Sequence, residues 1–449
     1  MKNMSLFQGI FLGIAILSGI VGILLFATFE GGSKATIEPV TIWGFYPEST
    51  FREVILSAGT NEAAGFVDLN HITYAEKNPE TFDREFVEAL ATGQGPGLIF
   101  VDHDTIFRNW NKIVPVSYAT YSERIFQETY IQGSDVTRDL GGIRSFPMIA
   151  DPLVMYWNQD IFTSAGIAQP PKTWTEFLSI IPELSETDDL GTVYKSGVAL
   201  GEYDNITHAK DIMTALILQS GNQIVQKTES VFDDGSIGVQ YDSVLDLQDQ
   251  GQILQPAENA LKFYAQYSDP SRDLYSWNKS LDNDQDLFLQ GDVAIYIGKA
   301  SDYTTMSRRN PNLNFDVAPL PQRSGSNKLT VADYDSLAVV QNGGSLNANY
   351  ATLLQLLIPA IHAQFAERSG LPPTRRDLLS MQQPQAAQDI FYESALYSTA
   401  FLDMVPDRSG LLFEEMLESY TTGLKGVSAA IGDTSEKLNV ILKQFEVQL

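Results

Sequence analysis

The chain has 449 residues, with 56 acidic against 29 basic side chains, a formal net charge of −27 and no cysteine. This length exceeds one ordinary hydrophobic core and predicts two or three domains, and the apolar content of 44% is that of a folded protein. The negative charge disfavours nucleic acid and anionic lipid headgroups as partners. The lack of cysteine excludes disulfides, thiol catalysis and zinc sites built on cysteine.

The histidines do not indicate a metal site. His71, His103, His208 and His362 are the only ones in the chain, and no two of them lie four residues apart. No His-Glu-x-x-His sequence is present, so a zinc site of that kind is not expected. We therefore predict that the protein uses neither a metal nor another cofactor.

The N-terminal segment predicts a membrane anchor. Residues 3–29 carry no charge, and Lys2 precedes them. This run is longer than the 7–15 apolar residues typical of a signal peptide and long enough for a spanning helix of about 20. No clean Ala-x-Ala cleavage sequence follows, so we expect an uncleaved anchor; a long cleaved signal is the alternative. With Lys2 inside, everything after Glu30 would lie outside the cytoplasm, at the cell surface or in the periplasm.

Strand and helix patterns alternate in the first part of the remaining chain. Strands are predicted at 40–46, 67–74 and 98–101. Between the last two, Phe82, Phe86 and Leu90 repeat every four residues and predict a helix. This order of strand, helix and strand predicts a parallel sheet that is covered on both faces.

The pattern starts again after Asp151. Thr173-x-x-Glu176 is the capping box of a helix, with Pro170 and Pro171 just before it. Later strands are predicted at 293–297, 315–321 and 336–340. Further helices are predicted at 211–222, at 349–361 with a break at Pro359, and from a cap at Asp433 towards the C-terminus.

Residues 147–177, PMIADPLVMYWNQDIFTSAGIAQPPKTWTEF, resemble a crossover segment of bacterial extracellular solute-binding proteins of the maltose-binding-protein-like class (family 1). These proteins are the ligand receptors of ABC importers. The family pattern is a proline, apolar residues, a polar or acidic residue, Tyr-x-Asn-x-Asp, Ala-Gly and Pro-Pro-x-Thr-Trp-x-Glu. The residues that fit it are Tyr156, Asn158, Asp160, Ala165, Gly166, Pro170, Pro171, Thr173, Trp174 and Glu176. Trp157 stands where the family often has tyrosine or phenylalanine.

Further segments with the same resemblance extend over nearly all of residues 40–449. PGLIFVDHDTIF at 96–107 is similar to the family's Pro-Asp-Ile-Ile strand, with Gly97 in place of the usual aspartate. FLQGDVAIYIGKASDY at 288–303 is similar to Phe-x-x-Gly-x-x-Ala-Met, with Ala300 and Ser301 where a tryptophan is usual. DVAPLP and GLPPTRRDLL resemble later segments of the family.

The resemblance implies an α/β, two-lobed periplasmic-binding-protein (Venus-flytrap) fold of type II, which binds ligand between its lobes. With the N-terminal transmembrane helix, we predict an anchor and tether at 1–36, a first lobe at 37–148 plus 334–372 and a second lobe at 149–333 plus 373–449. Residues 147–152 and 331–336 would cross between the lobes. A monomer is expected.

The candidate ligand residues follow strands, because open α/β sheets bind ligands beyond the carboxyl ends of their strands. They are Phe45, Tyr46, Glu48, Asp102 and Asp104 in the first lobe, Asp151, Tyr334 and Asp335 at the crossings, and Glu202, Tyr203, Asn205, Gly298 and Tyr303 in the second lobe. Asp104 and Asp151 are the first choices as acceptors for a ligand hydroxyl or amine. The alternatives are a helix N-cap at Asp104, a hinge hydrogen bond at Asp151, and core packing for the aromatic rings.

The resemblance implies capture of a small solute without catalysis, and delivery to the permease subunits of an ABC importer. Rings combined with carboxylates suit a sugar or oligosaccharide. An anionic ligand is disfavoured because only Lys299 lies near the candidate site, and cationic ligands come second. A degenerate receptor acting as sensor or adhesin is one alternative function. A surface glycoside hydrolase, with Asp104 and Asp151 as acid and base, is another.

Overall fold

The computed structural model describes residues 38–59, 71–188, 191–231, 237–246, 256–381, 385–445 and 447–448. The predicted anchor at 1–36 lies outside these ranges, as do residues 67–70 of the second predicted strand. Within the described ranges, no helix has the length and apolar character needed to cross a membrane.

The strands and helices alternate along most of the described chain. The strands are β1 (Val40–Gly44), β2 (Ile72–Glu76), β3 (Leu98–Val101), β4 (Ile113–Val114), β5 (Arg138–Asp139), β6 (Gly142–Ile143), β7 (Ser145–Asn158), β8 (Glu186–Thr187), β9 (Val193–Val198), β10 (Val225–Val231), β11 (Ile237–Ser243), β12 (Val293–Lys299), β13 (Phe315–Pro319), β14 (Thr330–Val340), β15 (Ser398–Thr399) and β16 (Val447–Gln448). The helices are α1 (Glu48–Gly59), α2 (Pro79–Ala91), α3 (His103–Arg108), α4 (Glu123–Thr129), α5 (Gln159–Ser164), α6 (Trp174–Leu184), α7 (Ala209–Gln219), α8 (Pro256–Ala265), α9 (Asp284–Gln290), α10 (Asp302–Arg309), α11 (Leu346–Leu356), α12 (Pro359–Ser369), α13 (Arg376–Leu379), α14 (Ala386–Leu396), α15 (Pro406–Thr421) and α16 (Val427–Leu442).

One mixed sheet runs through the fold in the order β2-β1-β3-β14-β7-β12-β9-β8. β1 lies parallel to β2 and β3, as the sequence predicts. β14 is antiparallel to both β3 and β7, and β7 is antiparallel to β12 and β13. β9 and β12 restore a parallel pair further along the sheet. The long strands β7 and β14 therefore join two groups of mainly parallel strands.

The middle parts of β7 and β14 cross between these groups. The N-terminal end of β7 pairs with β14 next to β3, whereas its C-terminal end pairs with β12 and β13. A third segment lies beside the crossing, because Ala150 N donates to Pro372 O at 2.9 Å and Thr374 N donates to Met148 O at 3.1 Å. We call β2, β1, β3 and their helices the first lobe, and β12, β13, β9, β8 and their helices the second lobe.

The residue boundaries of the predicted lobes stay a prediction. Helix α13 packs beside the first lobe, since Arg376 Nε donates to the carbonyl oxygen of Tyr130 at 2.7 Å. The predicted boundaries assign Arg376 to the second lobe. Helix α13 follows directly on the third crossing segment.

Local sequence signals account for most of the elements. Every residue of β3 is buried, which is the burial expected for a continuous apolar strand with helices on both faces. The capping box of α6 is present, with the Thr173 hydroxyl oxygen accepting from Glu176 N at 3.2 Å. The predicted start of the last helix at Asp433 is wrong. Helix α16 begins at Val427, and Asp433 pairs on its surface with Lys425 at 2.6 Å.

Candidate functional site

The ends of the first-lobe strands meet the crossing strands at Asp335 of β14. Tyr46 follows β1 and donates its hydroxyl to Asp335 Oδ2 at 2.6 Å. Burial raises the pKa of Asp335 to about 7, and the nearby charges of Asp102, Asp151 and Asp333 add to this rise, against the hydrogen bond from Tyr46. Carboxyl groups from the first lobe and from both crossing strands are therefore close enough to influence one another.

Alternation along the crossing strands decides which side chains share a face. Asp333 and Asp335 lie two residues apart in β14, and Asp151 of β7 is paired directly with Asp333. Such positions point to the same face of a sheet. Tyr334 points to the opposite face, where it is fully buried with its hydroxyl 3.1 Å from Ser398 Oγ. The crossing strands thus present carboxylates on one side and the buried Tyr334 ring on the other.

Lys299, the last residue of β12, compensates part of this negative charge. Its Nζ contacts Asp333 Oδ2 and lies 3.1 Å from Asp211 Oδ2 at the start of α7. Although burial alone would raise it, Lys299 and His208 lower the pKa of Asp211. Lys299 therefore links a crossing strand to a helix of the second lobe.

His208 is charged at neutral pH in this environment. Its Nε2 lies 2.9 Å from Asp302 Oδ2, and its Nδ1 lies 3.5 Å from Asp211 Oδ2. Although burial alone would lower it, these carboxylates raise the pKa of His208 to about 9. His208 is not among the candidate ligand residues, and both of its ring nitrogens bind carboxylates of the protein.

A second cation lies opposite Asp104 of the first lobe. Lys210 Nζ forms an ion pair with Asp403 Oδ2 at 2.6 Å. Burial raises the pKa of Asp104, Asp333 and Asp403 add to the rise, and His103 and Lys210 oppose it. We call Asp102, Asp104, Asp151, Asp211, Asp302, Asp333, Asp335 and Asp403, together with Lys210, Lys299 and His208, the acidic cluster.

The structure brings several predicted residues together in or beside this cluster. They are Tyr46, Asp102, Asp104, Asp151, Tyr203 and Asp335. Tyr203 belongs with them because, after burial and Glu414, the carboxylates of Asp211 and Asp403 raise the pKa of its hydroxyl. These positions come from the first lobe, the crossing strands and the second lobe.

The structure bears on two alternative roles that the sequence left open, a helix N-cap at Asp104 and a hinge hydrogen bond at Asp151. The N-cap of α3 is Asp102, whose Oδ1 accepts from Thr105 N at 2.7 Å, so Asp104 does not fill that role. Asp151 does make a hinge hydrogen bond, because its Oδ1 accepts from Ser301 N at 2.9 Å. Burial raises the pKa of Asp151 to about 6 even though Lys299 and Ser301 oppose it.

In the first lobe, Phe45 and Glu48 are not brought into the cluster. The Phe45 ring packs edge-on against Phe82 of α2, with centroids 5.3 Å apart. Glu48 is exposed and pairs with Arg52 one turn further along α1 at 2.9 Å. Aromatic packing therefore explains Phe45, and helix-surface pairing explains Glu48.

In the second lobe, Asn205 and Gly298 have structural roles. The Asn205 amide donates to the carbonyl oxygens of Asn278 and Leu281, both at 2.9 Å, and accepts from Trp277 Nε1 at 3.0 Å. A Cβ at Gly298 would lie 2.5 Å from an Asp302 carboxylate oxygen, so this position admits only glycine. Neither residue therefore has a side-chain donor left for a ligand.

Tyr303 and Glu202 are also outside the acidic cluster. The Tyr303 ring packs against Phe315 and Phe391, with centroids 5.8 Å and 5.9 Å away. Glu202 lines a separate cavity in the second lobe. The other predicted positions outside the cluster are Phe45, Glu48, Asn205 and Tyr334, whereas Gly298 borders it at Asp302.

Residues 71–348 match the family of bacterial extracellular solute-binding proteins. The chain belongs to this family. The family predicted from the sequence is thus confirmed, and so is the prediction that the protein is not an enzyme, because the family consists of binding proteins. The hydrolase alternative is set aside for the same reason.

Named relatives of this solute-binding protein occur in Brucella. Proteins of Brucella abortus (strain 2308) and Brucella suis biovar 1 (strain 1330) that carry the name of a binding protein are each 23% identical over 323 residues. The match covers 71% of this chain and 72% of each relative.

Solved structures with a similar fold bind saccharides. They include a cyclic alpha-maltosyl-1,6-maltose binding protein from Arthrobacter globiformis, with TM-score 0.71, 15% identity and coverage of 90% of this chain and 99% of that one. Another is an ABC transporter solute-binding protein from Thermotoga lettingae bound with alpha-D-tagatose, with TM-score 0.60, 20% identity and coverage of 90% and 100%. The two-lobed α/β fold of periplasmic binding proteins is therefore confirmed for this solute-binding protein.

Replacing Asp335 with asparagine should stabilise the unliganded solute-binding protein at pH 8. A carboxyl with a folded-state pKa of about 7 holds its proton more tightly than in the unfolded chain, where the pKa is about 3.9. Its ionisation therefore lowers stability between about pH 4 and pH 7, and the loss is complete above pH 7. Asp335→Asn keeps an acceptor for the Tyr46 hydroxyl without the charge. We expect the free energy of unfolding at pH 8 to rise by on the order of 1–2 kcal/mol, and the difference to vanish below about pH 4.

Chemical unfolding of both proteins at pH 8 and pH 4 measures this effect. Glu48→Gln is the matched control, because it removes an exposed carboxyl and should leave the pH dependence of stability unchanged. A less stable Asp335→Asn variant at pH 8 would contradict the prediction. It would mean that the charged hydrogen bond to Tyr46 outweighs the burial of the carboxylate.

Proposed function

We propose that this protein captures a neutral sugar or oligosaccharide outside the cytoplasm and delivers it to an ABC importer. The acidic cluster between the lobes is the observation that carries the proposal. Its carboxyl groups outnumber its cationic side chains, and it draws on both lobes and both crossing strands. Carboxylate oxygens only accept hydrogen bonds, so the cluster suits a ligand rich in donors.

The cationic groups of the cluster are already engaged by the protein. Lys299 pairs with Asp333 and Asp211, and Lys210 pairs with Asp403. An anionic ligand would therefore face carboxylates without a free counter-charge. The raised pKa values of Asp104, Asp151 and Asp335 support the same conclusion, because burial outweighs the donors and cations that these groups already have. Sugar hydroxyls would supply further donors.

Aromatic rings beside the cluster support a sugar over a simple amine. The Tyr46 ring is held in place by stacking on Phe100, with centroids 4.8 Å apart. Tyr203 is half-buried beside the carboxylates, and the half-buried Phe401 has the Lys210 ammonium 6.0 Å from its centroid. Sugar rings combine apolar C–H faces with hydroxyls, which matches rings set among carboxylates. The saccharides bound by the similar structures support the same class of ligand.

Contacts across the predicted ligand site suggest how the closed form is held. Arg108 of α3 pairs with Asp407 at the start of α15 at 3.1 Å. His103 Nε2 lies 3.2 Å from the carbonyl oxygen of Phe401. Both join a first-lobe helix to the C-terminal part of the chain. In the proposed cycle, ligand brings the lobes together, and the closed form docks on the permease. A sensor or adhesin role would use the same closure without transport.

A thermal-shift panel on the detergent-solubilised full chain tests the ligand class. Maltotetraose, mannotriose and D-tagatose represent neutral sugars, and spermidine represents cations. A ligand at a hundred times its Kd stabilises the folded state by about 2.7 kcal/mol. We expect at least one neutral sugar to raise the melting temperature, and Asp151→Asn to reduce that rise. Stabilisation by spermidine alone that is lost in Asp151→Asn would overturn the proposal, because it would place a cation in the acidic cluster.

Membrane attachment through residues 1–36 belongs to the same proposal. The uncharged run after Lys2 supports it. The native protein should keep its N-terminus and remain in the membrane pellet after alkaline carbonate extraction. Intact-mass measurement of the native protein checks this, and a soluble mature chain that starts near Thr36 would show a cleaved signal instead.

A further inference from the structure

The second lobe contains a cavity of about 800 Å³ that is separate from the acidic cluster. Its walls include Phe263 of α8, Arg272 and Lys279 of the following loops, and Tyr420 near the end of α15. Glu202, which follows β9, also lines it. All of these residues lie in the second lobe.

The cavity lies away from the acidic cluster. Helix α15 begins beside the cluster, where Asp407 pairs with Arg108, and reaches the cavity at Tyr420. At about 1.5 Å per residue, these positions are ~20 Å apart along the helix. Glu202 and Tyr203 are neighbours in sequence, but Tyr203 is influenced by Asp211 and Asp403 of the cluster, whereas Glu202 is influenced by Lys279. The cavity is therefore not an extension of the proposed sugar site.

Glu202 is the unsatisfied group of this cavity. Its residue surface is only 9% exposed, and no hydrogen bond or ion pair reaches its carboxylate from the described residues. Buried carboxylates are normally paired, because an unpaired charge away from bulk water is costly. Burial raises the pKa of Glu202, and Lys279 only partly opposes this. The carboxylate is thus left without a partner at a wall of the cavity.

The basic side chains around the cavity are each paired with another acid. Lys262 pairs with Glu258 at 3.3 Å, and Arg272 pairs with Asp269 at 3.5 Å. The ammonium group of Lys279 contacts Glu418. Among the residues that line the cavity, Glu202 is therefore the acid that no basic side chain pairs with, and the nearby Asp204 adds further negative charge.

We propose that this cavity is a second binding site, for a small molecule that carries an ammonium group. The ammonium would pair with the Glu202 carboxylate and satisfy it with charge-assisted hydrogen bonds. Phe263 and Tyr420 provide aromatic surface in the same cavity, and ring faces attract cations. A neutral polyol could donate hydrogen bonds but would leave the charge uncompensated. The site is independent of what the acidic cluster binds.

Ligand-observed NMR titration of the full chain with 1,4-diaminobutane tests this site, with 1,4-butanediol as the uncharged probe of the same length. We expect the diamine to bind and the diol not to. Glu202→Gln should weaken diamine binding by about tenfold or more, as expected for loss of a charged partner. Lys279→Met removes a cation from the cavity and should tighten diamine binding at least threefold, so it tests the site even if Glu202→Gln folds poorly.

Asp151→Asn is the control that separates this site from the acidic cluster. It should leave diamine binding at the cavity unchanged. Binding that is lost in Asp151→Asn but kept in Glu202→Gln would place the amine in the cluster and overturn the inference. Equal binding of diamine and diol, or no diamine binding at all, would overturn it as well, and neither result would bear on sugar capture by the cluster.

Discussion

Replacing Lys299 with methionine should lower the free energy of unfolding by about 2–3 kcal/mol at pH 8. The side chain of Lys299 is 16% exposed, and its ammonium is shared between Asp333 and Asp211. Removing one partner of a buried ion pair costs roughly 3–5 kcal/mol, because the other charges stay buried without a counter-charge. The Asp333 side chain is 38% exposed, so solvent screening reduces the value here. Methionine keeps the length and volume of the side chain and isolates the loss of charge.

The loss should depend on pH with a definite sign. Lys299 lowers the pKa of Asp211 in the folded state, against the effect of burial. A lowered pKa contributes stability that is present above the unfolded value, about 3.9 for aspartate, and is lost as the pH falls further. The difference between parent and Lys299→Met should therefore shrink below about pH 4.

Urea unfolding at pH 8 and pH 3 measures both effects. Lys437→Met is the matched control, because Lys437 lies on the surface of α16 with its side chain 45% exposed and, among the described residues, forms an ion pair with exposed Glu415. We expect the control to be nearly neutral. An equal loss at both pH values would show that Lys299 acts through packing of its aliphatic chain, and no loss at pH 8 would contradict the electrostatic account of the cluster.

Asp104→Asn and Asp151→Asn should each weaken sugar binding by about ten- to a hundredfold. A hydrogen bond to a charged group contributes roughly 1.5–3 kcal/mol, and about 1.4 kcal/mol is a factor of ten in affinity. Asparagine keeps the shape of either side chain. In Asp151→Asn it also keeps an oxygen that accepts from Ser301 N, which is 2.9 Å from Asp151 Oδ1 in the parent.

The stability of the unliganded protein distinguishes a ligand contact from a structural role. Burial raises the pKa of both Asp104 and Asp151, so their ionised forms do not stabilise the fold. Neither variant should therefore unfold at a lower temperature than the parent without ligand. Calorimetric titration with the sugar selected by the panel, and a melt of each variant, give both numbers. Glu48→Gln should change neither.

Undiminished binding in Asp104→Asn together with a lower melting temperature would assign Asp104 a purely structural role. The first-lobe contact would then be sought at Asp102 or Tyr46, which lie beside Asp335 in the structure. Undiminished binding in both variants would remove the acidic cluster as the ligand site.

Local patterns predicted much of the scaffold, because they depend on neighbours within one turn or one strand. β3 and the helix stripe of Phe82 and Phe86 follow from apolar periodicity, and the capping box at Thr173 is a contact within four residues. The predicted helix cap at Asp433 is wrong. Glu436, three residues later, matches a capping pattern, but the buried residues of α16 begin before Asp433.

The alternation of side chains along β14 indicates which of its residues share a face. Asp333, Tyr334 and Asp335 are consecutive in β14, so the two acids must share a face that excludes the tyrosine. A prediction that included both Tyr334 and Asp335 could not be right for a single face. The sequence therefore indicates that Asp333 shares a face with Asp335, and that Tyr334 lies on the opposite face of the strand.

The remaining partners in the cluster depend on contacts between distant segments. Lys210 and Asp403 pair across 193 positions of the chain, and no local pattern indicates which of the many acids will meet which lysine. Likewise, Glu202 and Tyr203 are adjacent in a loop without regular alternation. Only the fold shows that Glu202 lines the cavity of the second lobe and that Tyr203 lies beside the acidic cluster. These positions required the three-dimensional structure.

A crystal structure of the parent grown with the sugar that stabilises it most is the most direct test of sugar capture by the acidic cluster. We expect the sugar between the lobes, with hydroxyl groups about 2.5–3.0 Å from the carboxylates of Asp104 and Asp151. A sugar bound in the cavity beside Glu202, or at any place where no carboxylate of the cluster is within hydrogen-bond distance, would contradict it.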